Sequence, residues 1–152
     1  MNATSEPAGI SSPPVTGRIV VIDAASAPGP IEGKLAPIST PGHTLGALSW
    51  TWRECEGEAC RTIVYADSLN PISSDGYRFS NHPDLVKAFR GGIIAVGGAP
   101  CDILIAPHPV AASWRDRLLG LKPLVDPVGC RDYAMVASRR LDKRLAEEAA
   151  GD

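Results

Sequence analysis

Two of the three histidines lie in turns from which their rings could bind a metal. His43 follows a glycine in the run TPGHT, and His108 stands between two prolines in the run PHP. Glycine and proline fix the backbone of such turns, and a metal ligand must project from a rigid position. The third histidine, His82, precedes Pro83 and is expected on the surface at a helix start. The sequence predicts metal ligation by His43 and His108; the alternative is that each only caps a strand end.

Short strands are expected to position these turns. Apolar runs and one stretch of alternating polarity predict five strands, at 18–23, 34–39, 45–53, 61–66 and 102–106. The strand at 45–53 alternates well and is expected to be half-buried, with Leu48, Trp50 and Trp52 on one face and the polar residues Ser49, Thr51 and Arg53 on the other.

Helices are expected to cover the sheet. One begins at Pro83 and is expected to be interrupted at Gly91-Gly92 and Gly97-Gly98. A closing helix has an apolar residue every four positions, at Tyr133, Ala137, Leu141 and Leu145. Its charged residues between 139 and 148 are interpreted as a solvated face, with Arg144 and Glu148 at i,i+4 spacing. Strands followed by helices predict an α/β (α+β) fold, a mixed sheet covered by helices.

Composition is typical of one globular domain. The chain has 152 residues, 44% of them hydrophobic, and a net charge of −2. This charge gives no electrostatic indication of binding to nucleic acid or an anionic membrane. No transmembrane run occurs, and the first residues lack the pattern of a secretory signal peptide. Residues 1–16 are polar and are expected to be a disordered leader, followed by a domain at 17–152.

The four cysteines are expected to form two disulfides. Cys55 and Cys60 flank the turn sequence EGEA, so a disulfide across this hairpin is geometrically easy. By elimination, Cys101 would pair with Cys130. Two disulfides would imply an oxidising compartment, whereas the alternative is four reduced thiols in a cytosolic protein.

Three motifs in this order resemble those of class B metallo-β-lactamases of subclass 3. They are TPGHT at 40–44, YADSL at 65–69 and PCDILIAPHP at 100–109. The similarity extends from about Gly17 to the end of the chain and includes the CEGEAC hairpin and Cys130. It implies the C-terminal half of an αββα sandwich and a periplasmic or secreted location.

The resemblance also implies a metal centre of two zinc ions. His43 would be the third histidine on one zinc, and His108 would bind the second zinc with an Asp and a His. The remaining ligands of the family come from an H-x-H-x-D-H motif, which these 152 residues do not contain. Catalytic zinc typically has three protein ligands, so this chain is expected to be inactive alone.

Two further residues match the family positions that face a substrate carboxylate. Ser68 and Asn70 can both donate a hydrogen bond to an anion. Asp67, in its A-D-S-L context, is interpreted as structural and not as a metal ligand.

The resemblance predicts part of a zinc-dependent β-lactamase that hydrolyses the β-lactam amide. Its partners would be β-lactams and a complementary N-terminal half, or a second copy in a homodimer, because an open sheet edge favours association. One alternative is a non-enzymatic association module. Another is a different hydrolase of the superfamily, such as a lactonase or thioesterase, which the A-D-S-L context and the cysteines disfavour.

Overall fold

A computed structural model describes residues 16–17 and 35–151. Its four strands are β1 (Ala36–Ser39), β2 (Leu48–Glu56), β3 (Ala59–Tyr65) and β4 (Ile103–Ile105), in the sheet order β1-β2-β3-β4. The β1–β2 and β2–β3 pairs are antiparallel and the β3–β4 pair is parallel, so the sheet is mixed, as predicted. The strand predicted at 18–23, and the leader apart from residue 16, lie outside the described residues.

The β2–β3 hairpin turns at Gly57, which has a φ of +59°. Glycine adopts such a positive φ at little cost, which suits the first position of a two-residue hairpin loop. Cys55 and Cys60 are directly opposite each other in the register, with Cα atoms 4.0 Å apart, and form the hairpin disulfide. A second disulfide, Cys101–Cys130, which we call the α3 disulfide, ties the start of β4 to the last helix. Both pairings agree with those expected from the sequence.

Three helices are present among these residues: α1 (Pro83–Gly98), α2 (Trp114–Leu118) and α3 (Gly129–Ala150). The predicted interruption of α1 at its glycine pairs is wrong, because the helix continues through both. A Cβ on Gly92 would lie 2.8 Å from the Thr40 Cα, and one on Gly97 would lie 2.8 Å from the Ala134 Cβ. These glycines allow close packing, which offsets their low helix propensity.

The core lies between one face of the sheet and the helices α1 and α3. It includes Val64 and Leu104 from the sheet, Phe89 from α1 and Leu141 from α3. On β2 the fully buried residue is Ser49, which shares this face with its partner Ile38.

The apolar side chains of β2 lie on the opposite face of the sheet. Trp50 and Trp52 are only half-buried there, and the described core does not include them. The register places them beside Tyr65 and Ile63, and Ile63 beside Ile103. We call this surface the outer face. The alternation in β2 was therefore predicted correctly, but its apolar side chains do not face the helices.

The charged face expected at the end of α3 is only partly solvated. Glu148 is 4% exposed and forms an ion pair with Arg144 at 2.7 Å. Its carboxylate also accepts the amides of Phe79 and Ser80, at 3.0 and 2.7 Å. The interpretation of 139–148 as a solvated face is wrong at Glu148, because this carboxylate caps the short 3₁₀ helix Phe79–Asn81.

In the described part of the chain, no helix combines the length and the apolar character needed to cross a membrane.

Candidate functional site

The four predicted site residues lie in turns at one edge of the sheet. β1 and β3 both run antiparallel to β2, and β4 is parallel to β3, so these three strands end at the same edge. His43 follows β1, Ser68 and Asn70 follow β3, and His108 follows β4. Ligand sites in α/β sheets commonly lie at the carboxyl ends of the strands.

The His43 ring is exposed, and among the described residues it has one hydrogen-bond partner. Its Nδ1 atom lies 3.2 Å from the carbonyl oxygen of Asn70. A carbonyl oxygen can only accept, so Nδ1 carries the proton and Nε2 has a free lone pair. This is the arrangement by which histidine ligands of metals are oriented.

The turn that bears His43 is packed closely against α1. A Cβ on Gly42 would lie 2.3 Å from the Phe89 ring, so only glycine leaves room for this contact. The amide of Gly42 donates to the Thr44 carbonyl at 3.0 Å, and the amide of Thr40 donates to the Ala47 carbonyl at 3.1 Å. The backbone of the turn is thereby fixed at both ends.

Buried hydroxyl groups connect this turn to the one that bears Ser68. Thr40 and Ser49 are both fully buried, and their hydroxyl oxygens are 3.1 Å apart. The Ser49 oxygen also accepts the amide of Asp67 at 2.9 Å. The Asp67 carboxylate accepts the amide of Ser68 at 2.7 Å, in agreement with a structural role.

Tyr133 of α3 holds the same turn from the helix side. Its hydroxyl donates to the carbonyl of Asp67 at 3.1 Å and accepts the amide of Leu69 at 3.4 Å. Burial raises the pKa of the Tyr133 hydroxyl, so it remains a neutral donor at physiological pH.

Three of the four predicted residues line a cavity of about 580 Å³. Ser68, Asn70 and His108 contribute to its wall, and so do Tyr133 and Arg140 of α3. The volume lies within the range of small-molecule sites. His43 is not among the lining residues, but it is joined to them through the Asn70 carbonyl.

The donors fit zinc in kind but not in number. An imidazole with Nδ1 held by a carbonyl is a suitable zinc ligand, and this describes His43. Between residues 35 and 151, however, no group of three or more His, Cys, Asp or Glu side chains is placed to hold a metal ion. A catalytic zinc typically needs three protein ligands. The part of the chain that the structure describes therefore supplies an incomplete ligand set.

Sequence reasoning missed the residues that hold these turns in place. Tyr133 was assigned only to the apolar stripe of the closing helix, although a buried tyrosine usually has a hydrogen-bond partner for its hydroxyl. Ser49 and Thr40 gave no signal, because the alternation of β2 placed Ser49 on its polar face.

No family model matches the chain. Solved structures do match it, and the three described here are metallo-β-lactamases. MIM-1 from Novosphingobium pentaromativorans is 44% identical over 91% of this chain and 50% of its own, with a TM-score of 0.80. SMB-1, solved with 2-mercaptoethanesulfonate, is 42% identical over 75% of this chain and 46% of its own, with a TM-score of 0.70. MEM-A1, a subclass B3 enzyme from a soil metagenome library, is 39% identical over 78% of this chain and 48% of its own, with a TM-score of 0.69.

These structures are similar to the chain both in sequence and in the arrangement of the mixed sheet and the helices. The chain spans about half the length of each. It therefore belongs, over that half, to the subclass B3 metallo-β-lactamase family.

Proposed function

We propose that this chain forms the C-terminal part of a zinc-dependent β-lactamase. His43 and His108 each donate one ligand to a two-zinc centre, and Ser68 and Asn70 bind the substrate carboxylate. The observation that carries this proposal is the hydrogen bond from His43 Nδ1 to the Asn70 carbonyl, which leaves Nε2 free at the sheet edge that also bears His108.

The ligand of a similar protein supports this assignment. SMB-1 has been solved with 2-mercaptoethanesulfonate and with mercaptoacetic acid. Each molecule combines a thiol, which is a good zinc ligand, with an anionic group. In this chain, His43 and His108 would bind the metal that the thiol reaches, and Ser68 and Asn70 would bind the anionic group.

Zinc, when bound, supplies a water of lowered pKa and a Lewis acid for hydrolysis of an amide. The residues of this chain supply binding and orientation. The Asn70 carbonyl holds the proton on Nδ1 of His43, and the turn from Asp67 to Asn70 presents the Ser68 hydroxyl and the Asn70 amide to an anion.

We propose that the missing ligands come from a segment outside these 152 residues that carries an H-x-H-x-D-H motif. The outer face favours such a partner, because Trp50, Trp52 and Ile63 form an apolar surface on the side of the sheet away from α1 and α3. The same surface favours a second candidate function, a non-enzymatic association module, and could also serve a homodimer.

Since both disulfides are formed, we place the protein in an oxidising compartment, the periplasm or the exterior.

Nitrocefin hydrolysis and zinc content test the proposal. We expect the chain alone to show no turnover and to retain no stoichiometric zinc. Mixed with a polypeptide that carries the H-x-H-x-D-H half, it should bind zinc and hydrolyse nitrocefin. Size-exclusion chromatography before and after mixing separates a complementary complex from a homodimer.

Histidine variants decide whether the named ligands act. In the complemented protein, His43→Ala and His108→Ala should each abolish turnover and lower the zinc content. His82→Ala is the matched control, because His82 is exposed at the start of α1 and is not among the residues that line the cavity. Turnover that survives His43→Ala or His108→Ala would refute the assignment, and turnover by the chain alone would refute the need for a partner.

A further inference from the structure

The Asn70 carbonyl that holds His43 belongs to a turn fixed by hydrogen bonds from two sides. It accepts the amide of Ile72 at 2.8 Å in addition to Nδ1 of His43 at 3.2 Å. Upstream, the turn is bound to the sheet, where the amide of Asp67 donates to Ser49. These contacts fix the backbone at Asp67 and after Asn70, but none of them involves the backbone of Leu69.

Tyr133 supplies this remaining contact. Its hydroxyl bridges the Asp67 carbonyl and the Leu69 amide, 66 and 64 residues away in sequence. The Leu69 amide and the Asn70 carbonyl lie on successive residues, so a shift at one moves the other. The Leu69 side chain is 2% exposed and remains anchored in the core, so loss of the hydroxyl should shift the turn without unfolding it.

We propose that Tyr133 is a positioning residue for His43. By bridging Asp67 and Leu69, its hydroxyl fixes the Asn70 carbonyl at the distance that keeps the proton of the neutral His43 imidazole on Nδ1. Nε2 is thereby kept free of a proton. The consequence for zinc rests on the proposed function, whereas the choice of tautomer is a property of the zinc-free chain.

The test is the tautomer of each histidine, measured by long-range ¹H–¹⁵N correlation spectra of the zinc-free chain. The spectra are recorded at about pH 8.5, about two units above the reference pKa of histidine in model peptides. In the wild-type chain, His43 should be mainly in the Nδ1–H form. Tyr133→Phe should lower the share of this form at His43 and leave the spectrum of His108 unchanged.

The matched control is Tyr77→Phe. The Tyr77 ring stacks on His82 at 4.9 Å, and its hydroxyl makes no hydrogen bond within residues 35–151, so this variant should leave the His43 tautomer as it is in the wild type. An unchanged His43 tautomer in a folded Tyr133→Phe variant would overturn the proposal.

A second measurement includes the wild-type chain alone, and this part does not depend on how well the variant folds. In the wild-type chain, the Leu69 amide should be protected from hydrogen exchange, and Tyr133→Phe should speed its exchange about fivefold, the factor for one hydrogen bond worth about 1 kcal/mol. A wild-type Leu69 amide without protection also overturns the proposal. If Tyr133→Phe changes the His43 tautomer as expected but the complemented protein binds no zinc, the proposed function fails and the role of Tyr133 stands.

Discussion

Replacing Glu148 by glutamine is expected to destabilise the fold strongly at neutral pH and hardly at all in acid. The Glu148 carboxylate joins the end of α3 to the segment before α1 through the amides of Phe79 and Ser80 and the Arg144 guanidinium. Glutamine keeps the shape of the side chain but loses its charge, so Arg144 loses its ion pair and keeps only neutral acceptors such as the Tyr77 carbonyl.

The magnitude follows from the pKa of the Glu148 carboxyl. Burial alone would raise this pKa, but the hydrogen bonds from Ser80 and Arg144 outweigh it and lower the pKa from 4.5 to about 2. At about 1.4 kcal/mol per pKa unit, this difference corresponds to roughly 3 kcal/mol of stability. Because the Arg144 side chain is 35% exposed, solvent screening reduces the gain, and we expect about 2 kcal/mol.

The sign of the pH dependence is set by the lowered pKa. The stabilisation is complete above pH 4.5, the ordinary value, and is lost as the pH falls towards 2 and the folded carboxyl takes up its proton. The difference between the wild-type chain and Glu148→Gln should therefore shrink within this window.

Urea unfolding of both proteins, followed by circular dichroism at a series of pH values, measures this difference. Glu147→Gln is the matched control, because Glu147 lies on the same helix turn but pairs with Lys143 at the surface. It should change the free energy of unfolding by less than about 0.5 kcal/mol. Equal stability of the two variants at pH 7, or a Glu148→Gln effect that does not diminish in acid, would refute the reasoning.

Two further predictions concern packing and cross-linking. Gly92→Ala should destabilise the chain by about 1–3 kcal/mol, because its Cβ would lie 2.8 Å from the Thr40 Cα. Gly91→Ala should stabilise α1 by up to about 1 kcal/mol, because its Cβ would have no neighbour within 4 Å. Thermal unfolding of the two variants measures the difference. Serine replacement of both cysteines in the α3 disulfide, with its separation of 29 residues, should cost about 3.5 kcal/mol. The hairpin disulfide, with a separation of 5, should contribute only about 2 kcal/mol, and equal losses in denaturant unfolding would contradict this ranking.

The elements of the fold followed from local patterns, but their orientation did not. Alternation and turn residues predicted β2 and β3, and Pro83 marked the start of α1 correctly. Alternation shows which side chains share a face but not what covers that face, so Ser49 was assigned to the polar side although it is fully buried. The glycines of α1 suggested breaks, because the chain that packs against Gly92 is distant in sequence.

The turns that carry the candidate site could be predicted from the sequence. His43, Ser68, Asn70 and His108 each follow a strand, and the common direction of these strands brings the turns to one edge. Their roles in binding stay predictions. What the sequence could not provide was the contacts of Tyr133 with this edge, because no local pattern specifies which distant backbone group a side chain will meet.

The reach of the Tyr133 contact has a consequence for the order of events during synthesis. The hydroxyl and the Asp67 carbonyl that it binds are 66 residues apart in sequence. At about 5–20 residues per second, Asp67 is added to the nascent chain roughly 3–13 s before Tyr133. Until then, His43 lacks its final support, so its geometry is a late product of folding.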